Sequence, residues 1–125
     1  MGYGYIGQPY SHEDEAVRQN RYEFALSFVA AKTRAGEIVY SPIVHFHNAA
    51  VEHNLPEGGA IWRPVNRAML LAANRLIVLA LPGWSCSPGL EFEMKLAREH
   101  RIPIKYVIPD HKMQTQLGVE LITFD

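Results

Sequence analysis

The sequence contains a single cysteine, almost no net charge and no long apolar run. Because Cys86 has no second cysteine to pair with, an internal disulfide is excluded, which fits a reducing compartment. No apolar stretch reaches the roughly 20 residues that a membrane-spanning helix needs. Basic and acidic side chains nearly cancel, at 12 against 13, so charge gives no reason to expect duplex DNA or a membrane surface as a partner. The opening residues also lack the basic segment and apolar run of a signal peptide, and we expect a cytoplasmic protein.

The chain does contain enough apolar material for one hydrophobic core. Hydrophobic residues make up 48% of the 125 residues, and charged residues 20%. This balance argues against disorder, and the length is close to the commonest domain size. We therefore predict one domain over residues 1–125.

Short apolar runs that end at glycine or proline alternate with helical patterns along the chain. The predicted strands are 3–6, 38–40, 76–81 and 104–107, and 119–124 is either a fifth strand or an ordered tail. The predicted helices are 11–35, with Ser11 as N-cap and Gly36 as C-cap, then 45–51, 64–73 with Pro64 in its first turn, and a last helix that ends near residue 100. In the first helix, Arg18, Arg21 and Lys32 are predicted to point outward, and 109–111 is predicted to be a turn.

Strands that alternate with helices through short connections predict parallel, right-handed pairing. We therefore predict a three-layer α/β/α sandwich of flavodoxin-like type, with a mostly parallel sheet of four to five strands. In such a fold the loops after successive strands meet at the carboxyl edge of the sheet, where ligands bind. Those loops are 7–10, 41–47 and 83–93.

Glu93 follows the most apolar predicted strand and lies about one turn into the next helix. A carboxylate that faces the cleft at this position can act as a nucleophile or as a general acid or base. The alternative is an exposed glutamate that stabilises the helix dipole. Glu91 is two residues away and points in another direction, so at most one of the two is functional.

The turn before this helix contains other groups that could contact a ligand. Ser87 and the N–H groups of Gly89 and Leu90 form an anion site at a helix start, or Ser87 is a plain N-cap. Trp84 either stacks on a base or covers the core. Cys86 has no evident histidine or asparagine partner, so we do not predict a thiol nucleophile.

His45 and His47 alternate, so they share a face if the backbone there is extended. Because no third metal-binding residue has clear spacing, no metal site is predicted. Polar contact between these histidines and a bound small molecule is favoured instead. Near a predicted helix start, Arg63, Asn66 and Arg67 either reach a phosphate or are solvated.

Five segments carry a resemblance to a known family. They are Tyr5-Ile6-Gly7-Gln8-Pro9-Tyr10-Ser11, Ser41-Pro42-Ile43 with His45, Trp62-Arg63-Pro64, Leu76-Ile77-Val78-Leu79, and Gly83-Trp84 with Ser87, Gly89 and Glu93. In this order and spacing they resemble the nucleoside 2-deoxyribosyltransferase-like superfamily, and within it the short bacterial and phage proteins of the DUF1937 type. The resemblance extends over about 5–107.

The resemblance implies an N-glycosidase without a cofactor that acts on a small nucleoside or nucleotide. Glu93 corresponds to the nucleophile that attacks the anomeric carbon and expels the base, and Tyr5 to a tyrosine that orients it. The covalent intermediate is then released to water or to another base. Ser87 stands where the nucleotide glycosidases contact a 5′-phosphate and the transferases carry an acid, which favours a (deoxy)nucleoside 5′-monophosphate and hydrolysis. The resemblance further implies a homodimer or a larger homo-oligomer.

The remaining residues expected to bind substrate are Gly7, Gln8, Pro9, His45, Asn66, Trp84, Gly89 and Leu90. Asn66 is a departure, because the superfamily usually has an aspartate there that handles the leaving base, and Asn74 replaces a second frequent aspartate. An amide can hydrogen-bond a base but cannot donate a proton as a general acid. Three alternatives stay open: another group protonates the base, with His45 or His47 as the candidates, or the reaction is slow, or the chain only binds nucleotides. A separate alternative is a glycohydrolase of NAD-type dinucleotides.

Overall fold

A four-stranded parallel sheet forms the centre of the computed structural model, which describes residues 2–56 and 59–123. Its strands are β1 (Gly4–Gly7), β2 (Val39–Tyr40), β3 (Arg75–Leu79) and β4 (Ile104–Val107). The strand order is β2-β1-β3-β4, and each neighbouring pair is parallel. In the register, Tyr5 pairs with Tyr40 on one side and with Leu76 on the other.

Helices cover both faces of this sheet. They are α1 (Glu15–Arg34), α2 (Pro42–Glu52), α3 (Gly59–Leu71), α4 (Pro88–Glu99) and α5 (His111–Leu117), and a 3₁₀ turn spans Trp84–Cys86. Successive residues of a strand point to opposite faces. Leu76 and Val78 accordingly pack with residues of α3 and α4, whereas Ile77 and Leu79 pack with residues of α1. The predicted three-layer flavodoxin-like fold with a parallel sheet is confirmed.

The site is positioned by the strand order. β1 and β3 are neighbours in the sheet, but the helix that follows β1 lies on one face and the helix that follows β3 lies on the other. The loops after these two strands therefore diverge and leave a crevice at the carboxyl edge, which is where doubly wound sheets bind ligands.

The first helix begins later than predicted. Asp14 is the N-cap, and its side chain accepts a hydrogen bond from Ala16 N, so Ser11 lies before the helix. A carboxylate in this position also interacts favourably with the helix dipole. At the other end Ala35 is the C-cap, and Gly36 follows with φ of 86°, a left-handed conformation that glycine adopts without a steric penalty.

The next two helices differ from the prediction in ways that affect the site. α2 begins at Pro42, because Ser41 caps it by accepting from Val44 N at 3.1 Å. His45 and His47 are therefore helical and lie about 200° apart around the axis, so they do not share a face. α3 begins at Gly59, which places Pro64 inside the helix rather than in its first turn.

The carboxyl-terminal part forms a helix where only a turn was predicted. Asp110 caps α5 by accepting from Met113 N, and Gly118 ends it with φ of 71°. Of the possible fifth strand, the described residues 119–123 are an ordered tail. Leu121 is buried there, and its backbone N–H donates to Gln114 Oε1 at 2.8 Å. Residue 124 lies outside the described residues. Over the described part of the chain, no helix has the length and apolar character needed to cross a membrane.

Candidate active site

A cavity of about 860 Å³ opens at the carboxyl edge of the sheet. Its volume lies in the range of small-molecule sites. Its walls come from the loop after β1, from α2 and α3, and from the segment that leads into α4. We call this cavity the cleft. The predicted site residues that line it are Gln8, Pro9, Asn66, Ser87, Gly89 and Glu93.

Glu93 is buried at the wall of this cleft, and its side chain meets Tyr5. It lies on the buried face of α4, between Leu90 and Leu96 in helical spacing. The Tyr5 hydroxyl, itself buried in β1, donates a hydrogen bond to Glu93 Oε2. Glu91 is exposed on another side of the helix. The structure therefore brings together the two residues that the resemblance paired.

The environment of Glu93 changes its protonation. Burial raises the pKa of Glu93 to about 8, and the hydrogen bond from Tyr5 acts in the opposite direction because it favours the ionised form. The pKa of Tyr5 is also raised, first by burial and then by the nearby charge of Glu93. At pH 7 the free site therefore contains Glu93 mainly as the neutral acid.

Gly7 lets the end of β1 approach this carboxyl group closely. A Cβ atom at position 7 would lie 3.0 Å from Leu90 Cδ1 and 3.3 Å from Glu93 Oε1. Both distances are tight, so a larger residue would push on α4 or on the carboxyl group itself. Gly7 contributes to the site through this contact and does not line the cleft.

The start of α4 provides hydrogen-bond donors for an anion. Ser87 Oγ accepts from Leu90 N at 3.3 Å and caps the helix, which leaves its hydroxyl hydrogen for another acceptor. Gly89 and Arg63 also line the cleft. The Arg63 guanidinium lies 5.1 Å from the centre of the Phe92 ring, so a cation lies beside α4 in the cleft that the start of this helix also lines.

A buried arginine joins the two loops of the crevice. Arg21 donates to the carbonyl oxygens of Tyr10 and Ser11 at 3.2 and 3.0 Å, and to that of Pro82 at 3.0 Å. Burial lowers its pKa. The predicted outward orientation of Arg21 is wrong, and the sequence contained a signal for this. Position 21 belongs to the stripe of buried residues Val17, Arg21, Phe24, Ala25 and Phe28.

His47 is buried in a small polar network at the opposite wall. Gln19 Oε1 lies 3.1 Å from its Nε2, and the Tyr10 hydroxyl lies 2.6 Å from its Nδ1. Because the Gln19 oxygen only accepts, Nε2 carries the hydrogen and Nδ1 accepts from Tyr10. The ring stacks on Tyr22 with centroids 4.0 Å apart. Burial, and then the charge of Arg18, lower the pKa of His47.

A family model described as a domain of unknown function, DUF1937, matches residues 2–107. This range covers most of the chain. The chain belongs to the DUF1937 family. The match includes all four strands and every cleft residue named above, whereas α5 lies beyond it. Comparison with curated proteins gave no match.

Within the DUF1937 segment, four of the predicted substrate-binding residues lie outside the cleft: Gly7, described above, and the three that follow. His45 is exposed on α2 and packs near Tyr40. Trp84 packs against the core and lies 6.0 Å from the Tyr106 ring, as the core-covering alternative predicts. Leu90 is 1% exposed in the core, and its N–H is used by the Ser87 cap. The backbone of the turn or helix on which each of these side chains lies directs it away from the cleft.

Other candidate residues of the DUF1937 segment also differ in placement. Arg67 is exposed and does not line the cleft, whereas Arg63 does. Cys86 is exposed at the cleft. Among the described residues, no group of three or more His, Cys, Asp or Glu side chains could hold a metal ion.

Proposed function

We propose that this protein cleaves the N-glycosidic bond of a (deoxy)nucleoside 5′-monophosphate with Glu93 as nucleophile. The observation that carries the proposal is the buried Glu93–Tyr5 pair at the cleft, at the helix whose first turn presents Ser87 and Gly89. A reactive carboxylate and an anion site on one helix are what a phosphorylated nucleoside needs. The resemblance to the nucleoside 2-deoxyribosyltransferase-like superfamily assigns the same roles.

The reaction has two steps. A bond forms between a carboxylate oxygen of Glu93 and the anomeric carbon as the bond from that carbon to the base nitrogen breaks, and the electron pair of that bond leaves with the base. Water then attacks the anomeric carbon as the bond from that carbon to Glu93 breaks, which releases Glu93 as a carboxylate. The proton that this water loses to solvent balances the proton that the departed base takes up. The Tyr5 hydrogen bond orients the carboxyl group and stabilises its ionised form.

Ionisation of Glu93 is the condition for attack. With a pKa of about 8, the carboxylate is the minor form at neutral pH in the free site. The transition state of glycoside cleavage carries positive charge on the sugar, and this charge favours an ionised Glu93 beside it. The enzyme is therefore expected to be more active at mildly alkaline pH.

Departure of the base receives less help than in relatives that carry an aspartate. Asn66 lines the cleft, and its Oδ1 is buried without a hydrogen-bond partner among the described residues. This oxygen can accept from an N–H of the base but has no proton to give. Of the two histidines considered as acids, only His47 lies at the cleft, and both of its ring nitrogens are hydrogen-bonded.

Asparagine in place of aspartate at position 66 favours a second candidate, a nucleotide-binding module without turnover. It would use the same phosphate site and the same Asn66 acceptor, with Glu93 as a neutral hydrogen-bonding group. Ligand-induced thermal stabilisation without release of base would support it over the glycosidase.

The deciding experiment is incubation with a panel of nucleosides, nucleoside 5′-monophosphates and NAD, followed by chromatography for free base or nicotinamide. Release of base from the monophosphates is expected, and it should be lost in Glu93→Gln. Glu91→Gln is the matched control, because Glu91 is exposed on the same helix. Activity that survives in Glu93→Gln would overturn the mechanism, and release of nicotinamide alone would indicate a dinucleotide glycohydrolase.

The superfamily resemblance also supports a homodimer or a larger homo-oligomer. Sedimentation of the purified protein tests this part of the proposal. A monomer at micromolar concentration would contradict it.

A further inference from the structure

Gln8 is a buried residue whose side-chain amide oxygen makes no hydrogen bond to the described part of the chain. It lies directly after β1 and lines the cleft, and it is 5% exposed. Within the described part of the chain, its Oε1 has no hydrogen-bond partner. A buried acceptor without a partner destabilises the free protein, so an unpaired acceptor on a residue that lines a binding cleft points to a donor on the ligand.

The protein sets the orientation of this amide. Gln8 Nε2 donates to the backbone oxygen of Arg21 at 3.1 Å, and a carbonyl oxygen can only accept. The amide nitrogen must therefore face α1, which leaves Oε1 as the free atom. Arg21 is itself held by its hydrogen bonds to the loops after β1 and β3. The Gln8 amide, and with it Oε1, is therefore fixed in position.

The position of Gln8 relative to Glu93 indicates which part of a substrate it meets. Gln8 and Glu93 line the same cleft, Gln8 from the side of α1 and Glu93 from α4. In the proposed reaction the anomeric carbon of the sugar must meet Glu93. The phosphate-binding groups lie at the start of α4, and Asn66 supplies a separate acceptor from α3. The donors that a sugar offers are its hydroxyl groups.

We propose that Gln8 Oε1 accepts a hydrogen bond from a sugar hydroxyl of the substrate and that Gln8 determines specificity for a hydroxyl-bearing sugar. This inference rests on the proposed function. A sugar without that hydroxyl leaves the buried oxygen unpaired, and sites built to hydrogen-bond a group reject analogues that lack it. Asn66 Oδ1, the second buried acceptor of the cleft, is then left for the base.

The first test changes the ligand and leaves Gln8 intact. Glu93→Gln protein is titrated by calorimetry with a nucleoside 5′-monophosphate and with its 2′-deoxy, 3′-deoxy and 2′,3′-dideoxy counterparts, so that no ligand is consumed. Removal of one of the two hydroxyls is expected to weaken binding about 10- to 100-fold. Equal affinity for all four ligands would overturn the proposal.

The second test changes the protein. In Gln8→Met, an unbranched side chain of similar length without an acceptor, the preference for the hydroxyl-bearing ligand is expected to fall to less than about twofold. Gln19→Met is the matched control, because Gln19 also lines the cleft but its Oε1 already contacts His47. A preference that persists in Gln8→Met would contradict the assignment.

The two proposals fail in different ways. If nucleotides bind but the hydroxyls make no difference, the role of Gln8 falls and the proposed function stands. If no nucleotide binds and none is cleaved, both fall.

Discussion

The Tyr5 hydroxyl donates a hydrogen bond to Glu93 Oε2, and this contact joins β1 to the second turn of α4 across 88 positions of sequence. It is buried on both sides. Burial makes the carboxyl group harder to ionise, whereas the hydroxyl makes it easier. The balance between the two effects sets the pH at which Glu93 ionises, and ionisation is what its proposed role as a nucleophile requires.

The pH dependence of activity should follow the ionisation of Glu93. The value of kcat/KM reports groups of the free enzyme, so it is expected to rise with pH and to level off above about 8. In Tyr5→Phe the hydrogen bond that lowers the pKa of Glu93 is lost, so the rise should move to higher pH. Tyr3→Phe is the control, because the Tyr3 hydroxyl contacts the Met69 carbonyl instead. An unshifted profile in Tyr5→Phe would contradict this account.

The same ionisation should make the fold less stable as pH rises. Between the ordinary pKa of a glutamate, about 4.5, and about 8, the native state binds more protons than the unfolded state, so the free energy of unfolding decreases with pH. Glu93→Gln lacks this loss. Relative to the wild type, its free energy of unfolding should therefore increase from pH 5 to pH 9 by an amount on the order of a few kcal/mol. Urea unfolding measures this difference. Glu91→Gln should follow the wild type, and parallel curves for wild type and Glu93→Gln would disprove the prediction.

The proposed role of Ser87 in phosphate binding can be separated from its role as a cap. Aspartate caps helices about as well as serine, so Ser87→Asp should keep the melting temperature. Its negative charge should weaken binding of a nucleoside 5′-monophosphate at least about tenfold while affecting the free nucleoside little. Ser85→Asp carries the same charge just outside the cleft and serves as control. Equal losses for nucleotide and nucleoside would argue against a phosphate at this position.

The two glycines near Glu93 should respond differently to alanine. Gly7→Ala places a methyl group against Leu90, Leu76 and Glu93, so it is expected to destabilise the protein by about 1–3 kcal/mol and to reduce activity. A Cβ at Gly89 meets no atom of the described residues within 4 Å, and alanine favours helix more than glycine does by about 0.5–1 kcal/mol. Thermal unfolding should therefore give a lower melting temperature for Gly7→Ala than for Gly89→Ala. Equal melting temperatures of the two variants would refute the prediction.

Much of the architecture could be predicted because local chemistry decides it. Apolar runs that end at glycine or proline identified all four strands, and their alternation with helices implied a parallel sheet with a cleft at its carboxyl edge. The position of Glu93 in the helix after β3 followed from the same pattern. Errors occurred at helix starts, where Asp14 was the cap rather than Ser11, and Ser41 capped a helix that was predicted to begin at His45. Several cap-forming residues compete at such places, and packing chooses among them.

Side-chain placement was less predictable because it depends on partners that are distant in sequence. Arg21 is buried because three backbone oxygens from two loops surround its guanidinium. His47 rather than His45 faces the cleft because α2 packs on α1 through Gln19 and Tyr22. Trp84 covers the core because the 3₁₀ turn directs it toward β4. Position 21 does fall in the periodic buried stripe of α1, but the contacts of His47 and Trp84 leave no periodic signal in their own segments.

The sequence by itself predicted the four strands and the first four helices in chain order, the edge at which the cleft forms, and the segment that brings Glu93 and Ser87 to that edge. Those features depend on apolar periodicity, on glycine and proline, and on short connections, which act between near neighbours in the chain. Only the tertiary structure decided that Glu93 is buried against Tyr5 with a pKa of about 8, and that the side-chain oxygen of Gln8 has no partner among residues 2–56 and 59–123. Desolvation and hydrogen bonding are properties of a surrounding volume, and this volume exists only once β1, α1 and α4 have packed together.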